Sequence, residues 1–206
     1  MEQIHVRGGY NTPQTHKEHG QLKGLRLSLN IDLTLNHQPK ELYGLQRRVL
    51  LRKGARESSR HVMMKLMAML MFYHDDLVIE GSAHQHYKPD LVRLNAQQEP
   101  VQWIDCGHTS IKKLNRITQR NHETTVDIVK ATPGELAMYR REAQRQLRYP
   151  ERVDYWSFER QFIRALGARV HGRHALVATV TPEMESVYLS IDGYEMHTPL
   201  IHLMGG

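Results

Sequence analysis

Two segments decide the fold of this chain: KPDLVRL at residues 88–94 and VQWIDCG at residues 101–107. Together they predict two short strands of a hairpin. Each strand delivers one aspartate near the same end, Asp90 and Asp105, and the lysine pair Lys112-Lys113 arrives from the helix predicted to follow. Two carboxylates and a lysine around one point are typical of a divalent-metal phosphodiesterase site.

Length and composition indicate one domain of ordinary globular character. The chain has 206 residues, of which 40% are apolar and 24% charged. We expect a polar N-terminal leader at residues 1–20 and a single domain at residues 21–206. The chain contains no apolar run of membrane-spanning length and no signal-peptide core, so we expect a cytoplasmic protein that does not enter membranes. A single cysteine, Cys106, excludes an internal disulfide and any zinc site built from several cysteines.

The charge balance favours anionic partners. The formal net charge is +6 and the pI is about 9.5. A basic chain favours partners such as nucleic acid, although many basic proteins bind none. If the partner is a nucleic acid, we expect DNA rather than RNA. A protein partner or a homo-oligomer stays open as an alternative. The fourteen histidines are scattered, and the close pair His84 and His86 is explained by a solvated loop.

The first half of the chain predicts a hairpin and then a helix. Apolar residues alternate with polar ones from Leu25 to Leu35, which indicates a half-buried strand, and Leu45–Leu51 is its predicted partner. Residues Arg56–Tyr73 have helical spacing and five methionines, which we interpret as core filler. Glu57 lies in the first turn of this predicted helix, where the helix dipole favours a carboxylate.

The second half completes a mixed α/β (α+β) fold with a central sheet flanked by helices. The helix after the 88–107 hairpin carries a basic stripe of Lys112, Arg116 and Arg120 that is predicted to begin beside the aspartates. The remaining predictions are a strand at Thr124–Val129, a helix opened by a capping box at Thr132, a strand at Val153–Trp156, a short helix at Phe158–Leu166, strands at Ala175–Val180 and Ser186–Ile191, and a last strand.

These motifs, in this order, resemble the YaeQ family. The resemblance rests on the helix start at Glu57-Ser58-Ser59, the Pro89-Asp90 strand, the run from Trp103 to Gly107 and the Lys112-Lys113 helix. It covers most of the chain after residue 20. It implies the fold of the PD-(D/E)XK nuclease superfamily, with a restriction-endonuclease-like core.

The resemblance also implies roles for individual residues. Glu57 matches the helix glutamate, Asp90 the aspartate of PD, and Asp105 the acidic residue of (D/E)XK. The motif lysine is expected two residues after Asp105, where this chain has Gly107. The resemblance therefore implies a migrated lysine at Lys112, with Lys113 as its competitor.

The leading hypothesis is a Mg²⁺- or Mn²⁺-dependent nuclease. Asp90, Asp105 and Glu57 are the expected metal ligands, and Lys112 is expected to stabilise negative charge on the phosphate. Nucleic acid is expected to contact Lys112, Lys113, Arg116 and Arg120. The alternative is an inactive protein with a nuclease fold that binds nucleic acid or assembles a complex.

Overall fold

The computed structural model describes residues 28–205. The predicted leader at residues 1–20 and the first residues of the strand predicted from Leu25 lie outside this range. The strands are β1 (Ser28–His37), β2 (Leu42–Arg52), β3 (Val78–Ile79), β4 (Leu91–Leu94), β5 (Pro100–Cys106), β6 (Thr125–Lys130), β7 (Val153–Phe158), β8 (Arg173–Val180), β9 (Ser186–Ile191) and β10 (Tyr194–Leu203). The α-helices are α1 (Ser59–Met71), α2 (Ile111–Arg120), α3 (Pro133–Gln146) and α4 (Phe162–Arg169), and short 3₁₀ turns occupy Gln38–Lys40, Pro150–Arg152 and Pro182–Met184.

All ten strands join one mixed sheet in the order β2-β1-β8-β9-β10-β7-β6-β5-β4-β3. Strands β5, β6 and β7 are parallel to one another, and β1 is parallel to β8. The other neighbours are antiparallel. The prediction of a mixed α+β fold with a central sheet flanked by helices is therefore confirmed.

The core has one layer on each face of the sheet. On one face, α1 and α4 bury apolar residues against strands from both halves of the sheet. On the other face, a second cluster joins α2 and α3 to β4, β5, β6 and β7. Successive residues of β5 divide between these layers, because neighbouring side chains of a strand point to opposite faces. Ile104 and Cys106 accordingly lie in the first cluster and Trp103 in the second.

Alternating apolar residues place β1 as predicted. Leu29, Ile31, Leu33 and Leu35 are all buried, while the residues between them lie toward the other face. Leu29 pairs with Leu51 in the predicted antiparallel hairpin.

Helix α1 is buried along most of its length. Its ten residues from Val62 to Met71 are all buried, which confirms that the methionines fill the core. The predicted start of this helix was two to three residues too early. The Ser58 side chain accepts the His61 N–H as the N-cap, so Glu57 precedes the helix rather than lying in its first turn.

Two further helices begin at their predicted caps, and one prediction needs correction. Ser110 accepts the Lys113 N–H at the start of α2, and Thr132 accepts the Glu135 N–H at the start of α3. The short helix predicted from Phe158 begins instead at Phe162. Phe158 belongs to β7, where it pairs with Leu200 of β10. None of the helices in residues 28–205 is long and apolar enough to span a bilayer.

Candidate active site

A cleft of about 1000 Å³ opens between the start of α1 and the outer side of α3. It lies at the carboxyl ends of the parallel strands β5 and β6, where loops converge, and this is a common place for ligands in such sheets. We call it the α1–α3 cleft. Its charged and polar lining includes Arg56, Glu57, Ser58, Arg60, His61, Lys65, Glu80, Lys88, Asp90, His108, Lys130, Glu135, Tyr139 and Glu142.

Glu57 and Asp90 meet at His61. The His61 Nε2 atom lies 2.9 Å from Asp90 Oδ1 and 3.5 Å from Glu57 Oε1. The other oxygen of Asp90 accepts the Cys106 N–H at 2.7 Å. Burial raises the pKa of Asp90, but the contacts with His61 and the Cys106 amide outweigh it, so the pKa is lowered overall. Burial likewise lowers the pKa of His61, and the two carboxylates outweigh it and raise that pKa. The site therefore favours an anionic Asp90 beside a protonated His61.

Lys65 pairs with two glutamates of the cleft, Glu57 and Glu80. Its side chain is almost fully buried, and its amine lies 2.5 Å from both Glu57 Oε1 and Glu80 Oε1. Burial lowers the pKa of Lys65, but the two carboxylates outweigh it and raise the pKa overall. This ion pair fixes the carboxylate of Glu57, whose second oxygen accepts the Gly54 N–H at 2.8 Å.

Asp105 lies behind the cleft lining in a buried polar pocket. It accepts the Trp103 Nε1–H at 3.2 Å and the Thr109 hydroxyl at 3.3 Å, and its Oδ2 lies 2.7 Å from Lys113 Nζ. Burial raises the pKa of Asp105 against the opposing effect of Lys113. Asp105 therefore lies in β5, close in the fold to Asp90, but its cationic partner is Lys113 and not His61.

The two lysines predicted from the sequence separate in the structure. Lys113 contacts Asp105 and also donates to the Lys88 carbonyl oxygen at 3.0 Å. Lys112, Arg116 and Arg120 lie exposed on the outer face of α2. The geometry favours Lys113 over Lys112 for the place beside Asp105, because adjacent helical residues do not share a face.

Gly107 has the left-handed backbone that favours glycine, with a φ of 71°. A Cβ atom there would lie 3.1 Å from Met64 Cε and 3.3 Å from His61 Nδ1. A lysine at this position would therefore strain the backbone and press on His61. This is a physical reason for glycine at position 107.

Lys130, the last residue of the neighbouring strand β6, brings its amine to Gly107. Its Nζ donates to the Gly107 carbonyl oxygen and lies 3.6 Å from the centre of the Tyr139 ring. Both partners are neutral, and burial lowers the pKa of Lys130 to about 8. Lys130 is thus a cleft-lining cation whose contacts are a carbonyl and an aromatic ring.

The carboxylates do not converge as one group of three. Among residues 28–205, His, Cys, Asp and Glu side chains form no group of three or more that could hold a metal ion. Glu57 and Asp90 share the cleft, whereas Asp105 is separated from it by burial. A metal in this cleft would be held by two carboxylates, completed by water.

Sequence reasoning missed His61, Lys65 and Lys130. The first two follow Glu57 by four and eight residues, and that spacing places them near one another at the start of a helix. This signal was available in the sequence. Lys130 gave none, because its approach to Gly107 depends on the pairing of β5 with β6.

The comparisons with known proteins agree on one family. The family model described as YaeQ protein matches residues 29–200. The fold is similar to the crystal structure of the YaeQ protein from Xanthomonas axonopodis pv. citri, with 15% identity, a TM-score of 0.73, and coverage of 88% of this chain and 99% of that chain. For the YaeQ protein from Pseudomonas syringae the identity is 14%, the TM-score is 0.74, and the coverage is 89% and 98%. Comparison with curated proteins gives no match.

Proposed function

The chain belongs to the YaeQ family, and we propose that it is a metal-dependent phosphodiesterase acting on nucleic acid. The observation that carries the proposal is the meeting of Glu57 and Asp90 at one histidine nitrogen in an open cleft. The cleft lining also includes the cationic side chains of Arg56 and Lys88, which suit a phosphate backbone. The matching order of acidic motifs supports a PD-(D/E)XK core as part of this proposal.

Mg²⁺ or Mn²⁺ suits the oxygen donors of Asp90 and Glu57, and its binding would displace His61 from its place between the two carboxylates. Both ions prefer oxygen ligands, and Mg²⁺ is often bound through one or two carboxylates with several waters retained. Asp90 and Glu57 would hold it, and Asp105 would support them from the adjacent strand. When bound, the metal would stabilise negative charge on the phosphate and lower the pKa of a water.

The chain's own residues prepare this chemistry in three ways. His61 holds the Asp90 carboxylate in place and keeps it anionic. Lys65 fixes Glu57. Lys130 supplies positive charge at Gly107, where a motif lysine would otherwise stand. We assign Lys130 the role of stabilising charge on the phosphate. Burial raises the pKa of Asp105, and Lys113 opposes that shift.

The direct test is cleavage of labelled single-stranded DNA, duplex DNA and RNA with Mg²⁺, Mn²⁺ or EDTA. We expect metal-dependent cleavage that Asp90→Asn reduces by about 100-fold or more, the scale on which single charge-stabilising groups act. Asp76→Asn removes an exposed carboxylate from the turn after α1 and is the matched control. The proposal fails if the wild type cleaves none of the three substrates, or if Asp90→Asn cleaves as fast as the control.

A second function, nucleic-acid binding without turnover, is favoured by a separate observation. Each of the three acids already has a cationic partner: His61 for Asp90, Lys65 for Glu57 and Lys113 for Asp105. An inactive relative would bind nucleic acid through the exposed Lys112, Arg116 and Arg120 with strong salt dependence. Its binding would persist in EDTA and survive Asp105→Ala.

A further inference from the structure

A second depression of about 530 Å³ adjoins the α1–α3 cleft. It lies where α1, α3 and α4 begin, and we call it the arginine groove. Its lining consists of Ser59, Arg60, Ala131, Thr132, Arg160, Gln161, Ile163, Arg164, Gly167 and Ala168. Three of these ten residues are arginines and none is acidic, so the groove favours an anionic occupant.

The groove and the cleft share a boundary. Arg60 lines both depressions, and its guanidinium pairs with Glu135, which lines the cleft. The remaining arginines of the groove lining, Arg160 and Arg164, are exposed. A polyanion that leaves the cleft past Arg60 would therefore meet two more cations on its way.

The floor of the groove is apolar, and apart from Ile163 its residues are small. Ala131 and Ile163 are buried in it, and Gly167 and Ala168 continue it along α4. A Cβ atom on Gly167 would lie 3.5 Å from Met63 Cγ, so the floor at this point is the wall of the core itself. Cations beside an apolar surface suit a nucleotide, whose phosphate is anionic and whose base has an apolar face. The groove lining includes no aromatic side chain, so a base would be held there by van der Waals contact with small residues rather than by ring stacking.

We infer that the arginine groove binds the single-stranded segment of a nucleic acid next to the phosphodiester in the α1–α3 cleft. Arg160 and Arg164 contact the phosphates, and unstacked bases lie against the small-residue floor. A duplex presents its phosphates to such a surface but keeps its base faces stacked, so the floor selects a single strand. The inference takes its ligand class from the proposed function.

The first test measures binding in EDTA, where no cleavage occurs, with a fluorescein-labelled 20-nucleotide single strand. We expect Arg160→Ala/Arg164→Ala to weaken binding about tenfold or more at low salt. The slope of log affinity against log salt should fall by about 1.4, since each contact to a single-strand phosphate contributes about 0.7. The double variant Arg141→Ala/Arg145→Ala removes the same charge from the exposed face of α3 and is the matched control. Equal losses in the two double variants would overturn the inference, as would a wild type that does not bind the strand.

The second test probes the floor without removing an arginine. Ala168→Glu places a carboxylate at the groove, whereas Ala165→Glu places one on the same helix at an exposed position outside the lining. We expect Ala168→Glu to weaken single-strand binding several-fold more than Ala165→Glu, and to affect a 20-base-pair duplex less. Equal effects on strand and duplex would overturn the assignment of bases to the floor. Thermal unfolding of each variant shows that it is folded.

Failure of the groove and failure of the proposed function give different results. If the protein is a phosphodiesterase and the groove binds the strand, groove variants raise the KM for a 20-nucleotide strand but leave cleavage of bis(4-nitrophenyl) phosphate unchanged, because that small diester occupies the cleft alone. If the protein binds without cleaving, the EDTA binding differences persist while no substrate is cut. If the groove variants cleave the strand with an unchanged KM, the inference that the groove binds the strand is overturned, whereas the proposed function stands.

Discussion

The burial of Lys130 at the candidate site lowers the stability of the fold. Its amine is buried with a carbonyl and an aromatic ring as partners, and its pKa falls to about 8. An unfolded lysine has a pKa of about 10.4, so between these values the unfolded chain binds more protons than the folded chain. Stability therefore rises as the pH increases from about 8 to 10, and the penalty for charging Lys130 is fully present below pH 8.

Replacing Lys130 by methionine should separate stability from activity. We expect Lys130→Met to raise the free energy of unfolding at pH 7 by about 1–2 kcal/mol, because the charging penalty of about 3 kcal/mol disappears while the Gly107 carbonyl loses a hydrogen bond. The gain should vanish near pH 10. In the proposed enzyme the same variant should lose cleavage.

Urea unfolding at pH 7 and pH 9.5 measures this effect. Lys112→Met, which changes an exposed lysine on α2, is the control and should alter stability by less than about 0.5 kcal/mol. A Lys130→Met variant less stable than wild type at pH 7 would contradict the prediction.

Among the elements, α1 connects the core with the site. Its buried methionines hold it against the sheet, and its first two turns present His61 and Lys65 to the cleft. The helix and its core role could be predicted, because helical spacing and apolar content are local signals. The position of Glu57 outside the helix was missed, although a serine N-cap at Ser58 or Ser59 places Glu57 before the first helical turn in either case.

For buried positions of α1, we expect the loss in free energy of unfolding to depend on the side-chain volume removed rather than on the type of residue introduced. Met67 is fully buried, so we expect Met67→Ala to lower the free energy of unfolding by about 2–5 kcal/mol through the cavity it leaves. Met67→Leu nearly conserves volume and should cost less than about 1.5 kcal/mol. Urea unfolding compares them with Met138→Ala, an exposed methionine on α3 that should change little. Similar losses in Met67→Ala and Met138→Ala would show that α1 is not packed as described.

At the scale of the whole molecule, the sequence predicted the elements far better than their arrangement. Nearly every strand and helix was located from periodicity and caps. The sheet order was not predicted, because β1 pairs with β8 across about 140 residues and no local pattern records that contact. The same limit applies to the site: Asp90 and Asp105 were found by motif, whereas the separate cations that neutralise them depend on tertiary packing.

Asp127 lies near the middle of the sheet and makes global stability depend on pH. Its carboxylate accepts hydrogen bonds from Gln102 on β5 and Trp156 on β7, both at 2.9 Å. Burial raises its pKa to about 6, compared with about 3.9 in an unfolded chain. The folded chain binds more protons between these values, so this residue lowers stability as the pH rises from about 4 to 6, by up to about 3 kcal/mol.

Asp127→Asn removes this titration. Its stability relative to wild type should therefore increase by up to about 3 kcal/mol between pH 4 and pH 7, as measured by chemical unfolding across that range. The exposed Asp76→Asn is the control and should show no such trend. Parallel stability curves for wild type and Asp127→Asn would contradict the prediction.

The two ends of the sheet differ in a way that affects how copies of the molecule meet. At one end β3 has two residues, while at the other β2 has eleven, and within residues 28–205 no strand covers its outer edge. A long open edge is a template on which further chains can add as strands. Here β2 carries Arg47, Arg48 and Arg52, of which Arg47 pairs with Asp75 and Arg48 with Asp32. Charged side chains on an edge strand disfavour its pairing with the edge of another copy. The charges of the β2 arginines therefore oppose aggregation through this edge. Added salt weakens the effect because it screens those charges.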